Sequence, residues 1–511
     1  MPKKIVALSI FLAIFLTVSA QNGATSRIEV LKGEKWWGAF VGGAPLEPFD
    51  EPFRIHTAES AEGGFFVPVL VSSAGRYIWS DSPMEIDFDG SQFLITSETE
   101  KVEVKKAGRT LREAYLLCCH HHFPPSAERR LPAELFTRPI YETEYDFGFL
   151  QCADDILAYA DRLLAEGFPA GVILLADGWR PASGGYDFDR LYYPDPKEFV
   201  DALHAKGFEV MLTVTPYLSA SGRAYVAALQ NGMLYEEEPG DPVEVTNRNG
   251  CFVAIDVTKE QLCDTLRAEL RRLTDDYGVD GFRFDCLDLV PHLLRTDNRF
   301  DAYLAGWMSL GSEFPLAEFV PGGRMPQTSC ASCMESAATT PEAYLNDVLV
   351  AGLSGYTFLR PASEILFSRS AEEETVARAF ILGMMMPVAY VPFAPWRVAD
   401  ETLYDEMRQT LAFRNSKKDY LEQIAQEAAL AAEPIVRHLE YQFPRSGFAD
   451  CNDQFMLGSR LLVVPVFDGA EERLVRLPRG VWKDQEGRRY RGPLVLNAAT
   501  HGRHLICYEL Q

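Results

Sequence analysis

From about residue 135 onward the chain repeats one pattern, a short apolar run followed by a longer amphipathic stretch. "RPIYETEY" precedes "DDILAYADRLLAEG", and "GVILLADGW" precedes "DPKEFVDALHAKG". "FEVMLTVTPY" comes next, and "KEQLCDTLRAELRRLTDDYG" leads into "VDGFRFD". "FPLAEFV" comes before "PEAYLNDVLVAG", and "YTFLRP" before "EEETVARAFILG". The runs read as strands and the stretches as helices. Strand-then-helix units repeated over roughly 280 residues predict a parallel sheet closed as a (β/α)8 TIM barrel. A doubly wound open sheet is the alternative. The first strand–helix turns carry no G-x-G-x-x-G, which argues against a dinucleotide.

The barrel does not fill the chain. With 511 residues, two or three domains are expected. Residues 27–122 read as short strands broken by Ser-Ala-Gly, Asp-Ser-Pro and Asp-Gly turns. The Pro-rich, charged segment 123–134 reads as a domain edge. From about 430, "RLLVVPVFDGAEERLVRLPRG" and "HLICYEL" are β-rich again. The expected layout is a multidomain chain. An N-terminal β-sandwich-like domain (27–134) and a small C-terminal β-sheet domain (430–511) flank a catalytic barrel (135–429). Ahead of them, "MPKKIVALSIFLAIFLTVSA" has two lysines, an apolar run and a small residue at Ala20. That build predicts a signal peptide over 1–20 and a secreted or periplasmic protein with no membrane span after cleavage.

A formal net charge of −24 argues against nucleic acid, whose backbone needs a basic surface. Cys118 and Cys119 precede His120, His121 and His122, and Cys330 and Cys333 form a lone C-x-x-C. Neither has a second half at zinc-site spacing. Buried thiols are the expectation, with no metal and no cofactor.

Barrel enzymes hold their chemistry at the carboxyl ends of the strands. That rule selects Asp177 after "VILLA", Tyr217 after "VMLTVTP", and Asp285 after "FRF". It also selects Glu318 in "PLAEFV", with Arg324 and Glu335 in the following loop. Trp179, Tyr217 and Trp396 stand nearby in loops. Carboxylates bind hydroxyls and move protons, and aromatic faces stack on pyranose rings, so the set suits a sugar. Asp177 reads equally well as a cap or turn residue, and Asp256 reads as a cap. Arg283 lies two residues before Asp285, on the same side of the strand, so a structural ion pair is the alternative there. A carboxylate ending a buried strand must be paired or used.

The order of these landmarks resembles glycoside hydrolase family 31, the retaining α-glycosidases of the α-glucosidase and α-xylosidase type. The likeness runs from about residue 139 to 466 and is nearest the myogenesis-regulating glycosidase branch. It is carried by "PIYETEYDFGFLQCADDILAYADRLLAEGFPAGVILLADGW", "DFDRLYYPDPKEFVDALHAKGFEVMLTVTPYL" and "GFRFDCLD". "GLSGYTF", "PFAPWRV", "EPIVRHLEYQFP" and "DQFMLGSRLLVVPVF" complete the series. The resemblance implies Asp285 as nucleophile, forming a covalent glycosyl-enzyme, and Asp288 at a supporting position. It implies Asp177 on sugar hydroxyls and Arg283 as the partner that keeps Asp285 ionised. Where the family has Trp-x-Gly-Asp, this chain has "SCASCMESAATTPEAYL". Counting back from "GLSG" puts Glu335 or Ser336 at the acid/base position, and of the two only Glu335 is an acid. Arg324 stands nearest the family's arginine.

The expected activity is hydrolysis of terminal α-linked sugars, α-galactosides or α-glucosides first, in an oligosaccharide or glycoside. A carbohydrate-binding protein on a degraded enzyme fold is the alternative.

Overall fold

Eight strands form one parallel sheet: β1 Ile140–Glu142, β2 Val172–Leu175, β3 Glu209–Val214, β4 Gly281–Phe284, β5 Leu316–Phe319, β6 Ala331–Glu335, β7 Phe358–Ala362 and β8 Tyr390–Val391. Their order across the sheet is β7-β6-β5-β4-β3-β2-β1-β8. Just before β8, Val388 N donates to Leu359 O of β7 at 3.2 Å. A computed structural model describes residues 24–42, 47–56, 65–82, 84–97, 101–125, 131–148, 150–181, 185–220, 222–247, 250–286, 289, 293, 299–319, 331–363 and 365–511. At Arg223, Asn247, Arg299, Phe300, Ser332, Cys333 and Glu335 it describes the backbone alone.

Helices connect the strands: α1 Ala153–Ala165, α2 Pro196–Ala205, α3 Glu260–Tyr277, α4 Arg299–Gly311, α5 Pro341–Leu353 and α6 Glu373–Gly383. The β5–β6 connection crosses 320–330, outside the described residues. Local chemistry sets the helix ends. Asp195 and Thr340 accept from backbone N–H groups of the first turns of α2 and α5, and each is followed by proline at the first helical position. Gly278, at φ 82°, closes α3 in the left-handed conformation.

The alternation in "GFRF" is that of a strand with two different faces. Phe282 and Phe284 point to the helix side. Phe282 meets Phe314 at 4.8 Å, and Phe284 meets Trp307 at 5.3 Å and Phe319 at 5.2 Å. Arg283 therefore lies on the other face, in register with Thr213 of β3 and Glu318 of β5. At the start of β4 a Cβ on Gly281 would come within 2.0 Å of Leu316 O, so only glycine allows β4 and β5 to approach this closely. Between β3 and α3 the chain leaves the sheet. Tyr217–Ser219, Glu244–Asn247 and Gly250–Ala254 form a separate antiparallel sheet there.

The N-terminal region is two antiparallel sheets of four strands each. Trp36, Leu70, Ile78, Ile86, Phe93 and Ile95 fill the space between them. Their sequence neighbours Trp37, Val69, Val71, Tyr77 and Trp79 point the other way, into the core shared with the parallel sheet and its helices. One sheet is thus buried on both faces. The reading of 27–122 as strands fails at its end, because strand structure stops at Lys106 and Leu111–His122 is an α-helix. The reason is local. Thr110 accepts from Glu113 N, and the Glu113 carboxylate accepts from Arg109 N at 2.7 Å, a reciprocal cap that starts a helix.

At the other end, six antiparallel strands from Val436–Arg437 to Leu505–Leu510 form the C-terminal sheet. No helix among the described residues is long and apolar enough to cross a membrane.

Candidate active site

Asp285 follows directly on β4. Its backbone N–H donates to Val214 O at the end of β3 at 2.9 Å, which pins the residue against the neighbouring strand end. Its side chain is 22% exposed, an acid open to solvent at the rim of an otherwise buried strand. Arg283, one turn of the pleat below, is buried. Its guanidinium pairs with Glu142 at the end of β1 and lies 3.8 Å from Asp285 and 4.0 Å from Glu144. One cation thus faces three carboxylates. The excess of negative charge suits a reacting centre that becomes positive, as an oxocarbenium-like sugar does.

Asp177 sits in a short 3-10 turn, Asp177–Trp179, that starts just beyond β2. Its carboxylate takes Nε of Arg180 at 2.6 Å. Arg180 also donates to Thr215 Oγ1 and lies over the Tyr186 ring at 5.2 Å, while the Tyr186 hydroxyl donates to Thr215 O at 2.6 Å. Burial works against the charge of Arg180, and Asp177 and Tyr186 together more than offset it, so its pKa rises. Asp177 is therefore anchored by a buried cation before any ligand arrives.

The aromatic residues are placed differently from the expectation of a sugar-stacking set. Trp179 is completely buried; its indole N–H donates to Thr213 O at 2.8 Å and its ring meets Phe188 edge-on at 5.3 Å. It braces β2 against β3 and offers no face to a ligand, because the short turn swings the ring back under the strand ends. Tyr217 is also buried, paired through its backbone to Ala254 in the antiparallel excursion. Trp396 is half-buried beside α1, with the Arg162 guanidinium 4.1 Å over its ring and Tyr159 at 5.3 Å. Arg324 and Asp288 lie outside the described residues.

Glu335 is the last residue of β6, its Cα paired with Ala362 of β7. The register runs from Arg283 through Glu318 to Ala331, so position 335 falls in the same alternate series as Arg283 and Asp285. Ser336, the other position reached by counting, is buried and donates to Asp347 at 2.5 Å. Glu318 is fully buried and paired with Arg360 at 3.0 Å, which makes it scaffold. Asp256 closes a local turn by accepting from Thr258 N at 3.2 Å and pairs with Lys259 at 3.3 Å; it does not cap α3, whose N-cap is Lys259.

Sequence reasoning missed Glu142, Glu144, Arg180 and Thr215. The strand-end rule, applied to "PIYETEY", would have selected both glutamates. The basic residue three positions after Asp177 was the signal for Arg180.

A model of the glycosyl hydrolases family 31 TIM-barrel domain matches residues 141–304, and one of the glycosyl hydrolase family 31 C-terminal domain matches residues 432–506. The chain is 26% identical over 386 residues to the myogenesis-regulating glycosidase of Mus musculus, covering 70% of this chain and 54% of that protein. It is 32% identical over 417 residues to an alpha-glucosidase of Saccharolobus solfataricus, covering 68% and 60%. It spans between 54% and 64% of the length of the curated relatives.

Among solved structures, a Flavobacterium johnsoniae GH31 dextranase complexed with glucose has the same fold. Its TM-score is 0.81 at 17% identity, with 95% of this chain and 66% of that chain covered. A GH31 alpha-xylosidase from a soil metagenome, complexed with xylose, gives 0.79 at 19% identity, with 95% and 79% covered. Two domain models fall in family order on a sheet whose fourth strand ends in an open carboxylate, and the chain belongs to glycoside hydrolase family 31.

Proposed function

We propose that this chain is a secreted retaining α-glycosidase that removes terminal α-linked sugars, α-galactosides or α-glucosides first, from an oligosaccharide or glycoside. The carrying observation is Asp285, a partly exposed acid at the end of β4 with the Arg283 guanidinium 3.8 Å away. In this reading the eight parallel strands close into a (β/α)8 barrel around that acid. Residues 1–20 direct export and are removed, leaving no membrane segment.

Asp285 attacks the anomeric carbon, and the bond to the leaving oxygen breaks as Glu335 gives that oxygen its proton. Glu335 then takes a proton from water, which displaces Asp285 and restores the configuration. The two carboxyl groups of such a pair stand about 5–5.5 Å apart. Arg283 places a positive charge 3.8 Å from the nucleophile. Asp177, already ordered by Arg180, receives sugar hydroxyls with little reorganisation. Two carboxyl groups suffice, so the reaction itself calls for no cofactor.

Purified protein lacking residues 1–20 is assayed against a panel of 4-nitrophenyl α-glycosides, and Asp285→Ala abolishes turnover. A fluorinated glycoside that traps the intermediate adds its mass to Asp285. Turnover unchanged in Asp285→Ala sinks the assignment. Glu335→Ala spares substrates with good leaving groups, and azide rescues it; equal losses on all substrates place the acid elsewhere.

The absence of Trp-x-Gly-Asp from the sequence favours one second reading, a carbohydrate-binding protein on the same fold. Sugar binding without label and without hydrolysis selects it.

A further inference from the structure

The N-terminal region holds a knot of ligating side chains that the site above does not use. Strand Glu103–Lys106 is the edge of its sheet, next to Arg76–Trp79. The helix Leu111–His122 ends with its last turn beside both. One ligand atom each from Glu103, His121 and His122 lies within 4.8 Å of the others.

The neighbours fix the state of these atoms. Tyr77 donates its hydroxyl to Glu103 Oε1 at 2.6 Å, and Lys105 Nζ lies 3.3 Å from His121 Nδ1. A lysine ammonium has only protons to give, so Nδ1 is the unprotonated nitrogen of His121; its lone pair accepts from Lys105, with the Tyr77 hydroxyl oxygen 3.0 Å from the same atom, and is released to the cluster when Lys105 leaves. The His122 ring is stacked on Trp79 at 4.0 Å and 12°, which fixes its plane. His122 Nε2 is buried without a hydrogen-bond partner, 3.4 Å from the Glu103 carboxylate. A buried polar atom left without a hydrogen bond is costly, and a cation held against it removes the cost.

We propose that Glu103, His121 and His122 bind a divalent transition-metal ion, zinc before the others. Two imidazoles and one carboxylate are a zinc donor set, with the fourth position open to water. The ion staples the last turn of the helix to the sheet edge. Cys118 and Cys119 precede the histidines in sequence but take no part. Both are buried, and burial pushes their thiols up, away from the thiolate a metal needs. The second half that the Cys-Cys-His-His-His run lacks is supplied by a strand. Lys105 holds the same corner, 2.8 Å from Glu103, and its side chain is 43% exposed, so it swings into solvent as the ion arrives.

The test uses the full chain without a polyhistidine tag, stripped with chelator and titrated with zinc against a chromophoric competitor at neutral pH. One equivalent binds. Glu103→Gln, His121→Ala and His122→Phe, which keeps the stack on Trp79, each weaken binding at least ~10-fold, and His120→Ala leaves it unchanged. Lys105→Met tightens it several-fold by removing the competing cation. Far-UV circular dichroism and the metal-free melting temperature check that each variant folds, and zinc raises that temperature in the parent but not in His121→Ala. Cobalt in place of zinc gives the visible bands of a four-coordinate site. Absence of stoichiometric binding overturns the proposal. So does binding indifferent to His121→Ala and His122→Phe, binding lost in His120→Ala, or an affinity that Lys105→Met leaves unchanged or weaker.

Discussion

Arg283 on β4 and Arg360 on β7 are both buried arginines of the parallel sheet, and each is paired with a glutamate from another strand. Their surroundings differ. Arg360 and Glu318 are both 0% exposed, and the Tyr390 ring covers the guanidinium at 4.1 Å. Arg283 has its buried partner in Glu142 but also faces Glu144 and the solvent-open Asp285. Among the described residues the sealed pair reaches no solvent-open acid. The open one can redistribute its charge when a ligand changes the balance among three acids. Burial alone thus does not distinguish scaffold from site; what distinguishes them is whether the charge network reaches a solvent-exposed end.

The largest expected effect attacks the open end. Asp285→Asn removes the proposed nucleophile, and turnover of aryl α-glycosides is expected to fall by ~10⁴-fold or more, about 5.5 kcal/mol at the transition state. Because Asp285 is partly exposed, urea denaturation of the same variant shifts by less than about 1 kcal/mol. Comparable losses of stability and activity would make it a scaffold residue.

Next comes the sealed pair. Glu318→Gln strands a cation in the sheet and destabilises by ~3–5 kcal/mol, while Glu318→Leu combined with Arg360→Met recovers most of the loss. A double variant no more stable than the single one breaks the contrast.

A buried group without charge sharpens it further. His438 accepts from Glu440 N at Nδ1 and donates from Nε2 to Asn452 Oδ1 at 3.1 Å, bonds that use the neutral ring. Burial lowers its pKa to about 4. The unfolded chain therefore takes up a proton near pH 6.5 while the folded chain does not. Stability is full above pH 6.5 and falls as pH drops toward 4, by about 3 kcal/mol in all. Urea titrations across that window check it, and His438→Gln flattens this component of the slope.

The smallest effect falls on Glu142→Gln. Arg283 keeps Glu144 and Asp285 as partners, so the loss is about 1–3 kcal/mol, less than for Glu318→Gln. A loss equal to that of Glu318→Gln would mean that the two networks are equally closed.

The alternation in "GFRFD" was legible because strand period and charge coincide there, and the helix caps at Asp195 and Thr340 were written in local sequence. What stayed hidden was pairing at long range. Glu142 meets Arg283 across 141 residues, and no spacing rule connects them. Trp179 misled for a related reason. Its position after a strand end is that of a ligand-facing residue, yet the three-residue turn that directs its ring inward becomes visible only with β3 alongside. The helix Leu111–His122 was within reach, since "TLRE" is a capping signature, but the β-rich run before it dominated the reading.

The sheet buried on both faces sets a problem of timing. Its four strands are complete by Lys106, and the helix Leu111–His122 covers part of the inner face at once, but the rest of the cover comes from much farther along: Phe65 meets Tyr356 at 4.8 Å and Trp37 meets His438 at 5.4 Å. At a synthesis rate of ~5–20 residues per second, the part of that face around Trp37 and Phe65 waits on the ribosome for roughly 10–70 s before its cover emerges. That interval makes the nascent chain a client for chaperones, and fragments that stop short of residue 438 are expected to aggregate.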